Sequence, residues 1–219
     1  MTSCCSGYAA EASTQFDRKR ADADLARYRK RGPDPTTRML IDGIREALPE
    51  LPTLLDVGAG IGVLTHELLA LTNGSATLID ASDASLDTAG QEAERRGHRH
   101  RCNLSRGDFV ELAPALAPAA VVAMDRVVCC YPAFVSLLEA ALGHAERVFA
   151  FSYPRDRWYV RAGVALENLP RRLGRSAFRV LVHPPAEMQA LVESRGFALV
   201  SRRSTLAWSV EVWRRAATT

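Results

Sequence analysis

The chain has no uninterrupted apolar run approaching the roughly 20 residues that a membrane-crossing helix requires, so no transmembrane span is expected. Its opening, Met1-Thr2-Ser3-Cys4-Cys5-Ser6-Gly7, has neither a basic leader nor an apolar core. That argues against a secretory signal and for a cytoplasmic protein. Cysteine is sparse, with five residues that include the adjacent pairs Cys4-Cys5 and Cys129-Cys130. An odd number in this spacing does not fit the framework of a secreted disulfide-rich domain, and reduced thiols are expected. Neither pair has the separation of zinc ligands, neighbouring side chains at a strand end are expected to point opposite ways, and the five histidines are scattered. No metal site is therefore expected. The formal net charge of +3 is too small for a dedicated nucleic-acid binder, and no repeat or low-complexity tract is present.

What is present is enough apolar material, 47% of 219 residues, to bury the core of one domain. Residues 1–33 read as a small-residue N-terminal segment, mobile over about the first 14 residues, followed by a charged helix. This helix has Leu25 and Tyr28 as anchors and is broken by Gly32-Pro33. It is either a surface helix or a lid over a ligand. From Asp34 to Thr219 a single domain is expected: Asp34 caps a helix with Pro35 at its first position, and Leu40, Ile41, Ile44 and Leu48 recur at helical spacing.

The most informative stretch is Leu54 to Leu69, in which a buried strand runs into Asp56-Val57-Gly58-Ala59-Gly60-Ile61-Gly62 and then a helix. The glycines permit a tight turn and close backbone approach to a ligand. A dinucleotide fingerprint would need its third glycine at position 63, where Val63 stands, so NAD is disfavoured. A ligand lacking a pyrophosphate suits the loop, and S-adenosylmethionine meets that requirement.

Four further strands are expected. One ends at Asp80, placed to accept from ribose hydroxyls, with Ala81 beside it and Ser82 or Asp83 capping the next helix. The next leads to Asp108-Phe109, an acid for an adenine amino group and a ring to cover the base. The strand Ala120–Met124 runs into Asp125 and Tyr131-Pro132, and Val148–Ser152 into Tyr153-Pro154. Asp125, Tyr131 and Tyr153 are the candidate catalytic or acceptor-orienting residues, Asp125 also facing the cofactor. Leu206, Trp208, Val210 and Val212 alternate with Ala207, Ser209, Glu211 and Trp213, as a β-strand would. The fold class is α/β: a doubly wound, Rossmann-like seven-stranded sheet with helices on both faces.

This succession of motifs resembles the class I S-adenosylmethionine-dependent methyltransferases, with Asp56, the three glycines, Asp80 and Asp108 in family positions. The resemblance implies methyl transfer from S-adenosylmethionine, a C-terminal antiparallel strand pair formed by Phe197–Ser204 and Leu206–Arg214, and an N-terminal extension acting as a lid in which Phe16 and Tyr28 contact substrate. A narrower resemblance, to magnesium-protoporphyrin O-methyltransferases, rests on Val127-Val128-Cys129-Cys130-Tyr131-Pro132 and Phe151-Ser152-Tyr153-Pro154. That family carries histidine where Cys130 stands. From Arg155 to Arg179 there are seven arginines, opposed by Asp156 and Glu167, which suit either a solvated helix face or an anionic acceptor. A small-molecule acceptor methylated at a carboxylate or hydroxyl is the expected substrate. A non-catalytic module binding S-adenosylmethionine or S-adenosylhomocysteine, and a thiol or metalloid methyltransferase, are the alternatives. Oligomeric state is left open.

Overall fold

The computed structural model describes residues 13–174, 176 and 178–216. The expectations for Cys4, Cys5 and most of the first 14 residues lie outside the described residues. Helix α1 (Arg18–Arg31) is capped by Asp17 and stopped by Gly32 at φ 71°. Helix α2 (Pro35–Ala47) starts on the Asp34 cap, whose carboxylate accepts from the Thr36 and Thr37 amides. Then follow β1 (Thr53–Val57), α3 (Val63–Leu71), β2 (Ser75–Asp80), α4 (Asp83–Arg95), β3 (Cys102–Arg106), the short α5 (Phe109–Leu112) and β4 (Ala119–Met124). The chain continues through α6 (Phe134–His144), β5 (Ala145–Pro154), α7 (Trp158–Leu173), α8 (Pro185–Ser194), β6 (Phe197–Ser204) and β7 (Trp208–Arg215).

The strands form one seven-stranded sheet in the order β3-β2-β1-β4-β5-β7-β6, parallel except where β7 runs antiparallel to β5 and β6. This is the expected doubly wound arrangement. β4 is buried at every position, because helices cover both faces of a parallel sheet. One core cluster joins Val122, Phe149, Phe151 and Trp213 to α6 and α8, and the other joins Leu54, Val121, Ala150 and Val212 to α2, α3 and α4.

Two details depart from the sequence pattern. β7 begins at Trp208, and Leu206 stands 82% exposed in the preceding turn. Glu211 is fully buried within β7, where a polar outer face would have left it wet. It is neutralised locally: Tyr153, Gln189, Arg202 and the Trp213 indole all donate to its carboxylate. Gly43, an unfavourable residue inside a helix, has a packing reason, since a Cβ there would lie 2.7 Å from Val212 Cγ2 of β7.

Order β3-β2-β1-β4 reverses direction between β1 and β4, and such a switch point opens a crevice at the carboxyl ends of the strands. No helix among the described residues is long and apolar enough to cross a membrane.

Candidate functional site

A cavity of about 420 Å³ fills that crevice, within the range of small-molecule sites. Its floor is the turn after β1. Gly58, Gly60 and Gly62 all adopt positive φ, at 66°, 56° and 77°. The Ala59 amide donates to Ile79 O at 3.0 Å, which ties the turn to β2, and the Gly60 amide donates to Asp80 Oδ2 at 2.8 Å. A Cβ at Gly60 would meet nothing within 4 Å, so the backbone there faces open space that a ligand can occupy. Gly62 serves packing instead: a Cβ would lie 2.9 Å from His66 Nε2. His66 cannot yield readily, since one ring nitrogen lies 3.0 Å from Ile61 O and the other 3.0 Å from His98 Nε2. Burial and the neighbouring His98 hold the His66 pKa down to about 4, so the ring is neutral at physiological pH.

The acids expected from the strand ends reach the same cavity. Asp56 is buried and accepts from Thr65 Oγ1 at 2.7 Å. Burial first, then the charges of Asp125 and Asp80, push its pKa up to about 7 against the Thr65 hydrogen bond. Asp80 accepts from the Ser82 amide at 2.8 Å as well as from Gly60, and its burial raises its pKa. Ser82 itself caps α4. Asp108 caps α5 through the Val110 amide, and the Tyr131 hydroxyl donates to both its oxygens at 3.1 and 3.0 Å. Ala59, Ala81, Phe109 and Tyr131 line the cavity with them.

Asp125 closes the opposite wall. Thr37 Oγ1 donates to its Oδ2 at 2.5 Å and Ser152 Oγ to its Oδ1 at 2.7 Å. Arg126, at φ 61°, turns back so that its guanidinium reaches Asp34 at 2.8 Å and Asp125 at 3.2 Å. Asp125 is thus an anchored carboxylate that joins β4, β5 and the start of α2. Sequence reasoning missed Thr37 and Ser152, and Asp34 was legible as a cap but not as an ion-pair partner.

Two expectations need correction. Tyr153 does not line the cavity. It is buried, with its hydroxyl 2.7 Å from Glu211 Oε1, because β5 alternates its side chains and position 153 faces the α8 side. Cys129 and Cys130 do not point to opposite sides: they sit in a 3₁₀ turn (Val128–Cys130), not a strand, with Sγ atoms 3.5 Å apart and both in the cavity wall. The described arginines after β5 divide between the cavity and other partners. Arg171 lines the cavity, whereas Arg161 pairs with Asp156, Arg155 binds Thr205 O and Arg179 binds Ser176 O and Phe178 O. From α1 and the residues before it, Phe16, Arg20, Asp24, Arg27 and Tyr28 complete the lining.

The family model described as "Methyltransferase domain" matches residues 54–150, which run from β1 through β5 and include every strand-end acid of the cavity. The chain is 33% identical over 140 residues to a ribosomal protein L11 methyltransferase of Gloeobacter violaceus, covering 64% of this chain and 40% of that protein. It is 30% identical over 70 residues to a sterol 24-C-methyltransferase of Aspergillus fumigatus, covering 32% and 18%. The chain therefore spans less than half the length of these curated relatives. Among solved structures, magnesium protoporphyrin IX methyltransferase from Synechocystis with bound S-adenosylmethionine superposes with TM-score 0.67 at 16% identity, over 94% of this chain and 93% of that one. An O-methyltransferase family 2 protein from Planctomyces limnophilus in complex with apigenin gives 0.65 at 16% identity, over 98% and 67%. These likenesses show a fold shared with methyltransferases, one of them solved with S-adenosylmethionine bound.

Proposed function

We propose that this chain transfers a methyl group from S-adenosylmethionine to an oxygen of a small-molecule acceptor, with a carboxylate favoured. The observation that carries the reading is that the glycine turn, the four strand-end acids and the aromatic rings of Phe16, Phe178 and Trp208 share one cavity. At the turn, Gly60 leaves room for a ligand's close approach and Asp80 offers a carboxylate for ribose hydroxyls. Asp108 and Phe109 would hold the adenine, and Asp56 the cationic methionine end. The donor, when bound, supplies an activated sulfonium methyl. The protein's share is then alignment and exclusion of water, worth about 7–11 kcal/mol in favourable cases.

Phe16, Phe178, Val180 and Trp208 also line the cavity, together with Arg20 and Arg171. Phe16 meets Phe178 edge-on at 5.8 Å, and the Arg171 guanidinium lies 5.5 Å from the centre of the Phe178 ring. These residues suit a flat, partly apolar acceptor bearing a negative group. A hydroxyl acceptor needs a base, yet Asp125 is engaged by Thr37, Ser152 and Arg126, and the Tyr131 hydroxyl donates to Asp108. An ionised carboxylate needs no proton removed, which is why it is favoured. Helix α1, tied to α4 by Arg29–Glu92 at 2.7 Å and Arg18–Asp87 at 2.7 Å, serves as the lid.

A non-catalytic binding module would need no lining beyond the cofactor cradle, and the further aromatic and basic side chains of the cavity favour the enzyme. Calorimetric titration with S-adenosylmethionine and S-adenosylhomocysteine, with Gly60→Arg as the blocked control, tests the cradle. A screen of aromatic carboxylic acids read by S-adenosylhomocysteine release then tests the acceptor. Binding without turnover of any carboxylic acid would refute the carboxylate reading, and no binding to folded protein would refute the cofactor reading.

A further inference from the structure

The cysteine pair in the cavity wall has no part in the chemistry above. After Arg126, the backbone enters a 3₁₀ turn closed by the Cys130 amide on Val127 O, and the Leu181 amide holds Cys129 O from outside. This turn brings two thiols that are neighbours in sequence onto one side, Cys129 buried and Cys130 partly exposed, with Sγ atoms 3.5 Å apart. Cys129 Sγ also donates to Arg126 O at 3.2 Å, which fixes its rotamer.

Three uses of such a pair can be weighed by geometry. A disulfide is disfavoured, because adjacent trans-linked residues have Cα atoms about 3.8 Å apart, short of the roughly 4.4–6.8 Å of a relaxed bridge. A zinc-type site needs four ligands, and no group of three or more His, Cys, Asp or Glu side chains able to hold a metal ion occurs among the described residues. A linear two-coordinate ion would need the sulfurs about 4.6 Å apart, twice a bond of about 2.3 Å. By contrast, sulfurs 3.5 Å apart and each about 2.3 Å from a common centre subtend about 100° there. That angle belongs to a pyramidal trivalent centre that brings its own third substituent.

We propose that Cys129 and Cys130 form a chelating dithiol site for a monosubstituted trivalent arsenical, R–As(OH)₂ or its anhydride R–As=O, entering through the cavity. Capture is a condensation without redox change. Two As–S bonds form, the As–O bonds break, and the oxygen leaves as water with the two thiol protons; arsenic remains trivalent. The reaction consumes thiols, and the pairing with Cys130 together with burial keeps the Cys129 thiol protonated by raising its pKa well above the ordinary cysteine value. The ligand sits in the cavity wall between Arg126 and Tyr131.

Phenylarsine oxide is the probe, added to the full chain carrying Cys4→Ser and Cys5→Ser so that the other adjacent pair cannot respond. Intact-mass spectrometry is expected to show one phenylarsenic per chain that survives excess 2-mercaptoethanol and is released by 2,3-dimercaptopropanol. Cys130→Ser, at the partly exposed position, is expected to cut retention against the monothiol by about 100-fold or more, as loss of one arm of a bivalent contact does. Cys102→Ser in the same background leaves it unchanged. An adduct that washes off with monothiol before any mutation, or that persists in Cys130→Ser protein with an unaltered thermal melt, overturns the site. Titration of the same samples with S-adenosylhomocysteine before loading tests the cofactor reading separately, so failure of one does not imply failure of the other.

Discussion

Replacing Gly60 and Gly62 by alanine, one at a time, should separate ligand binding from packing within a single turn. Both residues have positive φ, so each alanine incurs the left-handed backbone cost of about 1–2 kcal/mol. At Gly60 the new methyl meets nothing within 4 Å, and the loss of stability should stop there. At Gly62 it would stand 2.9 Å from His66 Nε2, 3.2 Å from His66 Cε1 and 3.1 Å from Leu78 Cδ2. His66 is pinned by Ile61 O and His98, so overpacking adds about 1–3 kcal/mol, for a total of about 2–5 kcal/mol. Ligand affinity should show the reverse order. The Gly60 methyl projects into the cavity and should weaken S-adenosylhomocysteine binding at least about tenfold, equivalent to about 1.4 kcal/mol, whereas folded Gly62→Ala protein should bind within about threefold of wild type. Urea unfolding at constant m-value gives the first quantity and calorimetry on folded protein the second. If Gly62→Ala is no less stable than Gly60→Ala, or if both lose affinity equally, the division of labour in the turn is wrong.

Asp80→Ala removes an acceptor of the Gly60 and Ser82 amides and the proposed ribose ligand, and should weaken S-adenosylhomocysteine binding by about 1.5–3 kcal/mol; unchanged affinity in calorimetry would take Asp80 out of the site. Tyr153→Phe should cost only about 0.5–1.5 kcal/mol of stability and leave methyl transfer unchanged, because Gln189, Arg202 and Trp213 still serve Glu211, whereas Tyr131→Phe should weaken cofactor binding through Asp108; equal kinetic effects would contradict the placement of the two rings. Asp56 has a pKa raised to about 7 in the folded apo protein, and a cation in the cavity favours its ionised form. Affinity for S-adenosylmethionine should therefore rise between pH 6 and 8 with net proton release, read calorimetrically in buffers of differing ionisation enthalpy, while neutral adenosine should lack the trend. In the absence of ligand the sign is opposite: the raised pKa contributes stability below about pH 4 that is lost as pH rises towards 7.

The sequence by itself determined the elements and the cradle. Alternation of apolar strands with capped helices, Asp34 with Pro35 and Ser82 before Asp83, specified a doubly wound sheet, because caps and hydrophobic periodicity act within a few residues of one another. The spacing Asp56-x-Gly58-x-Gly60-x-Gly62, together with acids at the ends of the next strands, placed Asp80 and Asp108 in the cavity wall, since strand ends in such a sheet all open on one crevice. What the tertiary structure decided concerns contacts between residues far apart in the chain. Thr37 and Ser152 meet at Asp125 only because the start of α2 lies over the ends of β4 and β5. Tyr153 turned to Glu211 because of its parity on β5, and β7 had to insert beside β5 for that carboxylate to be there. The adjacent cysteines faced one cavity because the chain after β4 coils into a 3₁₀ turn, where the two-residue alternation of a strand no longer applies.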